Sequence, residues 1–185
     1  LTPITKAYGG VAVYLIFGFY SLRHFFSHRY RPLKLLIISL VPAYLIFSFY
    51  NPSSDNLFVF KPFWFTNAMI DSPDRLYLPH LSSARFNLQS ANSTGPKLII
   101  VQAISLALFL LGNFGFRLIG LTRLNHSRLP SFSLIITATI FILTLIPLLF
   151  IQKGTGWNTI QFVYYALFLT NILLALSIFN IKSAK

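Results

Sequence analysis

Five runs of apolar residues divide the chain, at about residues 4–21, 34–50, 98–120, 131–151 and 159–179. Each run is apolar around its whole circumference, the pattern of a helix buried in a bundle or in lipid rather than one lying on a wet surface. Each is also close to the roughly 20 residues that a helix needs to cross a bilayer's hydrocarbon. None alternates strictly as a barrel strand does. The pattern therefore predicts an all-α protein, a polytopic transmembrane helix bundle of about five spans forming one domain over residues 1–185. Span one is not read as a signal peptide, because no useful basic segment precedes it and bulky basic residues follow it. The chain opens on Leu1 and reads as part of something longer.

Details inside the runs fit helices in lipid. Pro42 and Pro147 should each remove a backbone hydrogen bond and kink spans two and four. Gly9, Gly10 and Gly18 in span one, with Gly112, Gly115 and Gly120 in span three, are expected to let helices approach closely. Tyr20, Tyr30, Tyr50, Trp64 and Trp157 fall near span ends, where amphipathic rings prefer the headgroup level.

Composition sharpens this reading. Hydrophobic residues make up 55% and charged residues 10%, against about 25% charged in soluble domains. Too little polar surface remains to cover a globule in water, which excludes an ordinary soluble enzyme and a disordered chain. Absence of cysteine excludes disulfides, thiolate catalysis and Cys-ligated metals. The net charge of +12 would suggest nucleic acid, but the basic residues stand at the ends of apolar runs, so membrane lipids and not nucleic acid are the expected partner. Arg23, Arg29, Arg31, Lys34, Arg117, Arg123, Arg128, Lys182 and Lys185 lie on one side if every run crosses once, and they are nine of the 15 basic residues. The acids Asp55, Asp71 and Asp74 lie on the other. The positive-inside rule then places the N-terminus outside and the C-terminus in the cytoplasm.

Residues 51–97 form a long outer loop with mixed chemistry, too long to be structureless in a compact protein. It opens with a turn cluster from Asn51 to Asp55, and its aromatic stretch LFVFKPFWF suits the headgroup layer. Ser72, Pro73 and Asp74 read as a helix start, with Ser72 as cap. Leu76, Leu78, Leu81, Ala84, Phe86 and Leu88 would supply an apolar face interrupted by Pro79. One or two short interfacial helices are expected here. Asn92-Ser93-Thr94 fits a glycosylation sequon.

Candidate chemistry concentrates in the same loop. Asp71 and Asp74 could act as general base or hold a divalent cation on a phosphate, and Lys61, Arg75 and His80 lie nearby to bind substrate. Alternatively, Asp74 stabilises a helix dipole and pairs with Arg75 on the surface. Between spans four and five, QKGTGWNT gathers Lys153, Trp157 and Asn158 around glycine-freed amides that could hold an anion, or forms a plain polar hairpin with a Trp anchor. His24 and His28 have metal-ligand spacing, but the surrounding arginines point instead to a basic patch facing anionic headgroups, and His126 is read likewise. No metal site is predicted. Arg117 either snorkels to headgroups or meets a partner in the bundle, while Asn171, Gln102 and Asn113 suit interhelical hydrogen bonds. No span centre carries an ionisable residue and no filter repeat is present, which demotes transport.

At K-P-F-W-F-T-N-A-M-I-D-S-P-D-R-L-Y (Lys61 to Tyr77), G-N-F-G-F-R-L-I-G (Gly112 to Gly120) and K-G-T-G-W-N-T-I-Q-F-x-Y-Y (Lys153 to Tyr165), the chain resembles large bacterial polytopic proteins of the GT-C glycosyltransferase kind. The resemblance implies a helical bundle whose outer loops surround a polyprenyl-phosphate-linked sugar donor. In that superfamily the catalytic acid lies in the first outer loop of the full protein, so Asp71 and Asp74 do not inherit its role directly. The resulting expectation is part of a membrane glycosyltransferase, with a non-catalytic scaffold or transport subunit as the alternative.

Overall fold

The computed structural model describes residues 4–50, 58–91, 95–122, 130–153 and 156–182. Its elements run α1 (Ile4–Phe25), α2 (Arg31–Tyr50), β1 (Phe58–Phe60), α3 (Trp64–Asp71), α4 (Pro79–Ser90), α5 (Pro96–Phe114), α6 (Leu118–Thr122), α7 (Pro130–Leu149), β2 (Phe150–Gln152) and α8 (Gln161–Lys182). Short 3-10 turns occupy Gly115–Arg117 and Gly156–Ile160. All five apolar runs are helical, and the molecule is mostly helix. Three described stretches are long and apolar enough to cross a membrane: Pro96–Leu121, Ser131–Leu149 and Gly156–Ile178. The first of these is jointed, because Gly115 takes φ +46° and ends α5 before α6 resumes.

The centre is a three-helix packing of α1, α7 and α8. Ala12, Ile136, Ile140, Leu143, Phe162 and Ala166 form its apolar core. α2 packs chiefly on α1, where the Tyr14 hydroxyl donates to the Ser39 carbonyl at 2.8 Å in the turn that Pro42 interrupts. α6 lies against α8, and the approach is close: a Cβ added at Gly120 would sit 2.7 Å from the Leu174 backbone nitrogen. A Cβ at Gly9 would sit 2.9 Å from the Tyr165 hydroxyl. Gly10, Gly18, Gly112 and Gly115 face open space, so the expected close packing falls on two of the six glycines.

Side-chain polarity runs opposite to that of a bundle dissolved in water. Leu35, Ile38, Tyr44, Ile99, Leu111, Phe141 and Phe168 all point outward and exposed. Ser105, Thr139, Thr144, Thr170 and Ser177 are buried instead. Each of these five donates its hydroxyl to the carbonyl one helical turn back, whereas the buried Ser21 hydroxyl in α1 has no hydrogen-bond partner. Arg117 meets a partner in the bundle, donating from Nε to Asn171 Oδ1 at 2.7 Å between the 3-10 turn and α8. Asn113 does not bond across helices. Its amide donates to the Phe109 carbonyl within α5, because the short side chain reaches its own preceding turn first.

One end of the bundle carries a cap formed by α3, α4 and the two strands. β1 and β2 pair antiparallel, with Phe60 opposite Phe150 and Phe58 opposite Gln152. The pairing answers a specific need: the last carbonyls of a helix have no intrahelical partner. At the end of α7, Leu149 and Leu148 accept from the amides of Lys61 and Phe63 at 2.8 and 2.9 Å. The Phe150 carbonyl accepts from Trp64 Nε1 at 2.8 Å. The aromatic stretch expected to lie in the headgroup layer is thus partly a strand docked on the end of α7. Below it, the Tyr8 hydroxyl donates to Gln152 Oε1 at 2.5 Å, joining α1 to β2.

The expected helix start at Ser72 is corrected to a helix end. Ser72 is extended (φ −86°, ψ 126°) and caps the C-terminus of α3, its amide bonding to the Ala68 carbonyl. A residue before proline avoids helical backbone, so Pro73 forces the stop. Pro79 does not interrupt a helix but opens one, occupying the first turn of α4 where no amide donor is needed. The expected sequon Asn92-Ser93-Thr94 and the turn from Asn51 to Asp55 lie outside the described residues, as does His126.

Candidate functional site

The cap brings together residues far apart in the chain. Trp64 and Phe65 open α3 and are buried against Phe109 of α5, Leu148 of α7 and Val163 of α8. On this base stands Trp157, its ring 5.7 Å from Trp64 and 5.5 Å from Phe65, both edge-on. The Arg75 guanidinium lies over the Trp157 ring, 4.2 Å from its centroid. Arg75 Nε is 3.1 Å from Asp74 Oδ2. Three sequence-predicted residues, Asp74, Arg75 and Trp157, therefore converge on one exposed surface. Its stacking geometry is the cation–π arrangement favoured by a planar guanidinium.

Asp71 belongs to a different arrangement. Its Oδ1 accepts from the Ser82 hydroxyl at 2.6 Å, and its Oδ2 pairs with Arg85 Nη2 at 2.5 Å. Arg85 is buried, and its Nη1 donates to Gln89 Oε1 at 2.7 Å. Both carboxylate oxygens are thus committed to bracing α3 against α4. Asp74 is different: its side chain is 72% exposed, and its pairing with Arg75 is a surface contact that an incoming anion or hydroxyl can exchange with at little cost.

The other expected substrate-binding residues stand on neighbouring parts of the cap. Lys61 and Lys153 flank opposite ends of the strand pair, four pairing steps apart, which is about 13 Å along the ladder. His80 is exposed in the first turn of α4, and Asn158 is half-buried beside Trp157 in the 3-10 turn. Gly154 and Thr155, part of the expected anion-holding loop, lie outside the described residues. Among the described residues the carboxylates are Asp71, bonded to Ser82 and Arg85, and Asp74, paired only at the surface. Among the described residues no group of three His, Cys, Asp or Glu side chains converges.

Ser82, Arg85 and Gln89 went unread in the sequence, although one signal existed. Arg85 lies four residues after Leu81 and three before Leu88, on the face that should be apolar. A cation at such a position needs a buried partner, and Asp71 supplies it. No protein-family model, curated protein sequence or solved structure matches the chain.

Proposed function

We propose that the chain is a membrane-spanning unit, N-terminus outside and C-terminus cytoplasmic, and that its cap is a binding surface of a glycosyltransferase using a polyprenyl-phosphate-linked sugar. The ring of exposed Leu, Ile and Phe around the bundle supports insertion, because in water it would form an apolar surface far larger than a monomer tolerates. The resemblance at Lys61–Tyr77 and Lys153–Tyr165 supports the donor class. The observation that carries the reading is the Arg75 guanidinium held over the Trp157 ring beside Asp74. The Nη edge of Arg75 offers two parallel donors to a phosphate. Trp157 offers an aromatic face to a sugar ring, and the exposed Asp74 carboxylate can accept from sugar hydroxyls. Of the two acids, Asp74 is the one free to meet substrate.

Both tryptophans of the sequence lie in this cap, so their emission reports directly on it. Polyprenyl phosphate added to the protein in nanodiscs should shift or quench that emission, and Arg75→Ala should abolish the response. In membranes containing the full-length protein, Asp74→Asn and Trp157→Ala should lower sugar transfer by about tenfold or more. Unchanged transfer in both variants removes the catalytic reading. The second reading, a non-catalytic scaffold or transport subunit, is favoured by the complete engagement of Asp71 with Ser82 and Arg85, the behaviour of a structural brace.

A further inference from the structure

The turn between α1 and α2 is a fixed piece of backbone. The His28 amide donates to the Phe25 carbonyl at 3.0 Å and the Arg29 amide to the His24 carbonyl at 2.9 Å. This is the paired bonding of a Schellman helix ending. The residue that must turn left-handed is His28, at φ 57°, in a position usually held by glycine. The chain is thereby folded back so that the last turns of α1 face the first turn of α2.

Between them lies a cavity of about 610 Å³ lined by Tyr20, His24, Arg29, Tyr30, Arg31 and Lys34 among others. The Tyr20 and His24 rings meet edge-on at 4.4 Å. The Tyr30 hydroxyl is 3.3 Å from His28 Nδ1. Three cations thus share one concave surface with two phenols, and no acid stands in the first turn of α2. The two ion pairs among the described residues, Arg75–Asp74 and Arg85–Asp71, both belong to the cap. No described carboxylate therefore neutralises Arg29, Arg31 or Lys34. Cations gathered this closely repel one another, and a bound anion removes that repulsion while accepting their hydrogen bonds.

The structure assigns this pocket to the phosphate of an anionic membrane lipid, on the side away from the cap. Free phosphate would satisfy the charge equally well, but the surroundings favour a lipid. Leu35, Ile38 and Val41 continue from the pocket along α2 as exposed apolar surface, where acyl chains can lie while the headgroup sits among the cations. The inference shares the membrane reading given above but not its glycosyl donor.

The test uses the full chain in detergent micelles, titrated calorimetrically with dioctanoyl phosphatidic acid, dioctanoyl phosphatidylcholine and inorganic phosphate. Phosphatidic acid should bind about tenfold or more tighter than the zwitterionic lipid, and Arg29→Gln/Arg31→Gln/Lys34→Gln should lose that preference. Lys97→Gln, at the other end of the bundle, should keep it, and circular dichroism should show all variants equally helical. Equal binding by wild type and the triple variant overturns the site, and equal loss in the Lys97→Gln variant overturns its locality. Inorganic phosphate binding as tightly as phosphatidic acid overturns the lipid assignment. Release of the protein from membranes by alkaline carbonate would remove the membrane reading itself, a separate outcome from any of these.

Discussion

Arg85 shows how a single side chain can organise the cap. It is buried in α4, shares one carboxylate oxygen of Asp71 and holds Gln89. Arg85→Ala would leave Asp71 without its ion pair in a half-enclosed site, and should cost about 2 kcal/mol in chemical denaturation. The double variant Asp71→Ala/Arg85→Ala should cost clearly less than the sum of the singles, because the second change removes a group already stranded by the first. Additive losses would mean that the pair is not coupled. Arg75 and Asp74 make the opposite case. Their pairing is exposed, so Asp74→Ala should shift stability by no more than about 0.5 kcal/mol. A variant that spares the fold but alters Trp emission would mark Asp74 as a group kept for binding.

Between elements, the decisive contacts are those where one helix backbone meets another. At Gly120 a methyl group would collide with the backbone of Leu174, which cannot rotate away as a side chain can. Gly120→Ala should therefore cost about 1–3 kcal/mol. Gly112→Ala, inside α5 and facing open space, should be neutral or stabilising by up to about 1 kcal/mol. Thermal unfolding in one detergent compares the two directly, and equal losses would argue against the α6–α8 approach. Gly9→Ala meets only the end of the Tyr165 side chain, so it should cost less than Gly120→Ala and be relieved in part by Tyr165→Phe, which removes the hydroxyl but leaves the ring. The sequence marked all six glycines alike, because the small-residue signal says that close approach is possible without saying against what. Ser72–Pro73 failed for a related reason. Serine before proline is shared by helix beginnings and helix endings, and only the φ and ψ of Ser72 separate them.

For the molecule as a whole, the five apolar runs were legible because helical hydrophobicity is local and needs no knowledge of the partner. The candidate surface was legible only in pieces. Arg75 and Trp157 could each be named, but nothing in their neighbourhoods says that one stacks on the other. The proposed orientation is open to direct measurement, since the sequence contains no cysteine of its own. Ser27→Cys in the α1–α2 turn should react with a membrane-impermeant maleimide only from the cytoplasmic side, and Asn87→Cys on α4 only from outside; both positions are exposed. Labelling of each from the opposite side would reverse the arrangement, and labelling of both from one side would collapse it.

The seam between the two strands carries a consequence for how such a chain is made. Phe60 meets Phe150, 90 residues later, so the ladder cannot close until the second strand has left the ribosome. At ordinary synthesis speeds that delay is roughly 5–18 s, long compared with local helix formation. Throughout it, the Phe58–Phe60 edge and the aromatic pair Trp64–Phe65 wait without the acceptors that α7 will bring. The cap therefore cannot close before α7 and β2 have been made, and its aromatic base waits longer still, for the Val163 that α8 brings.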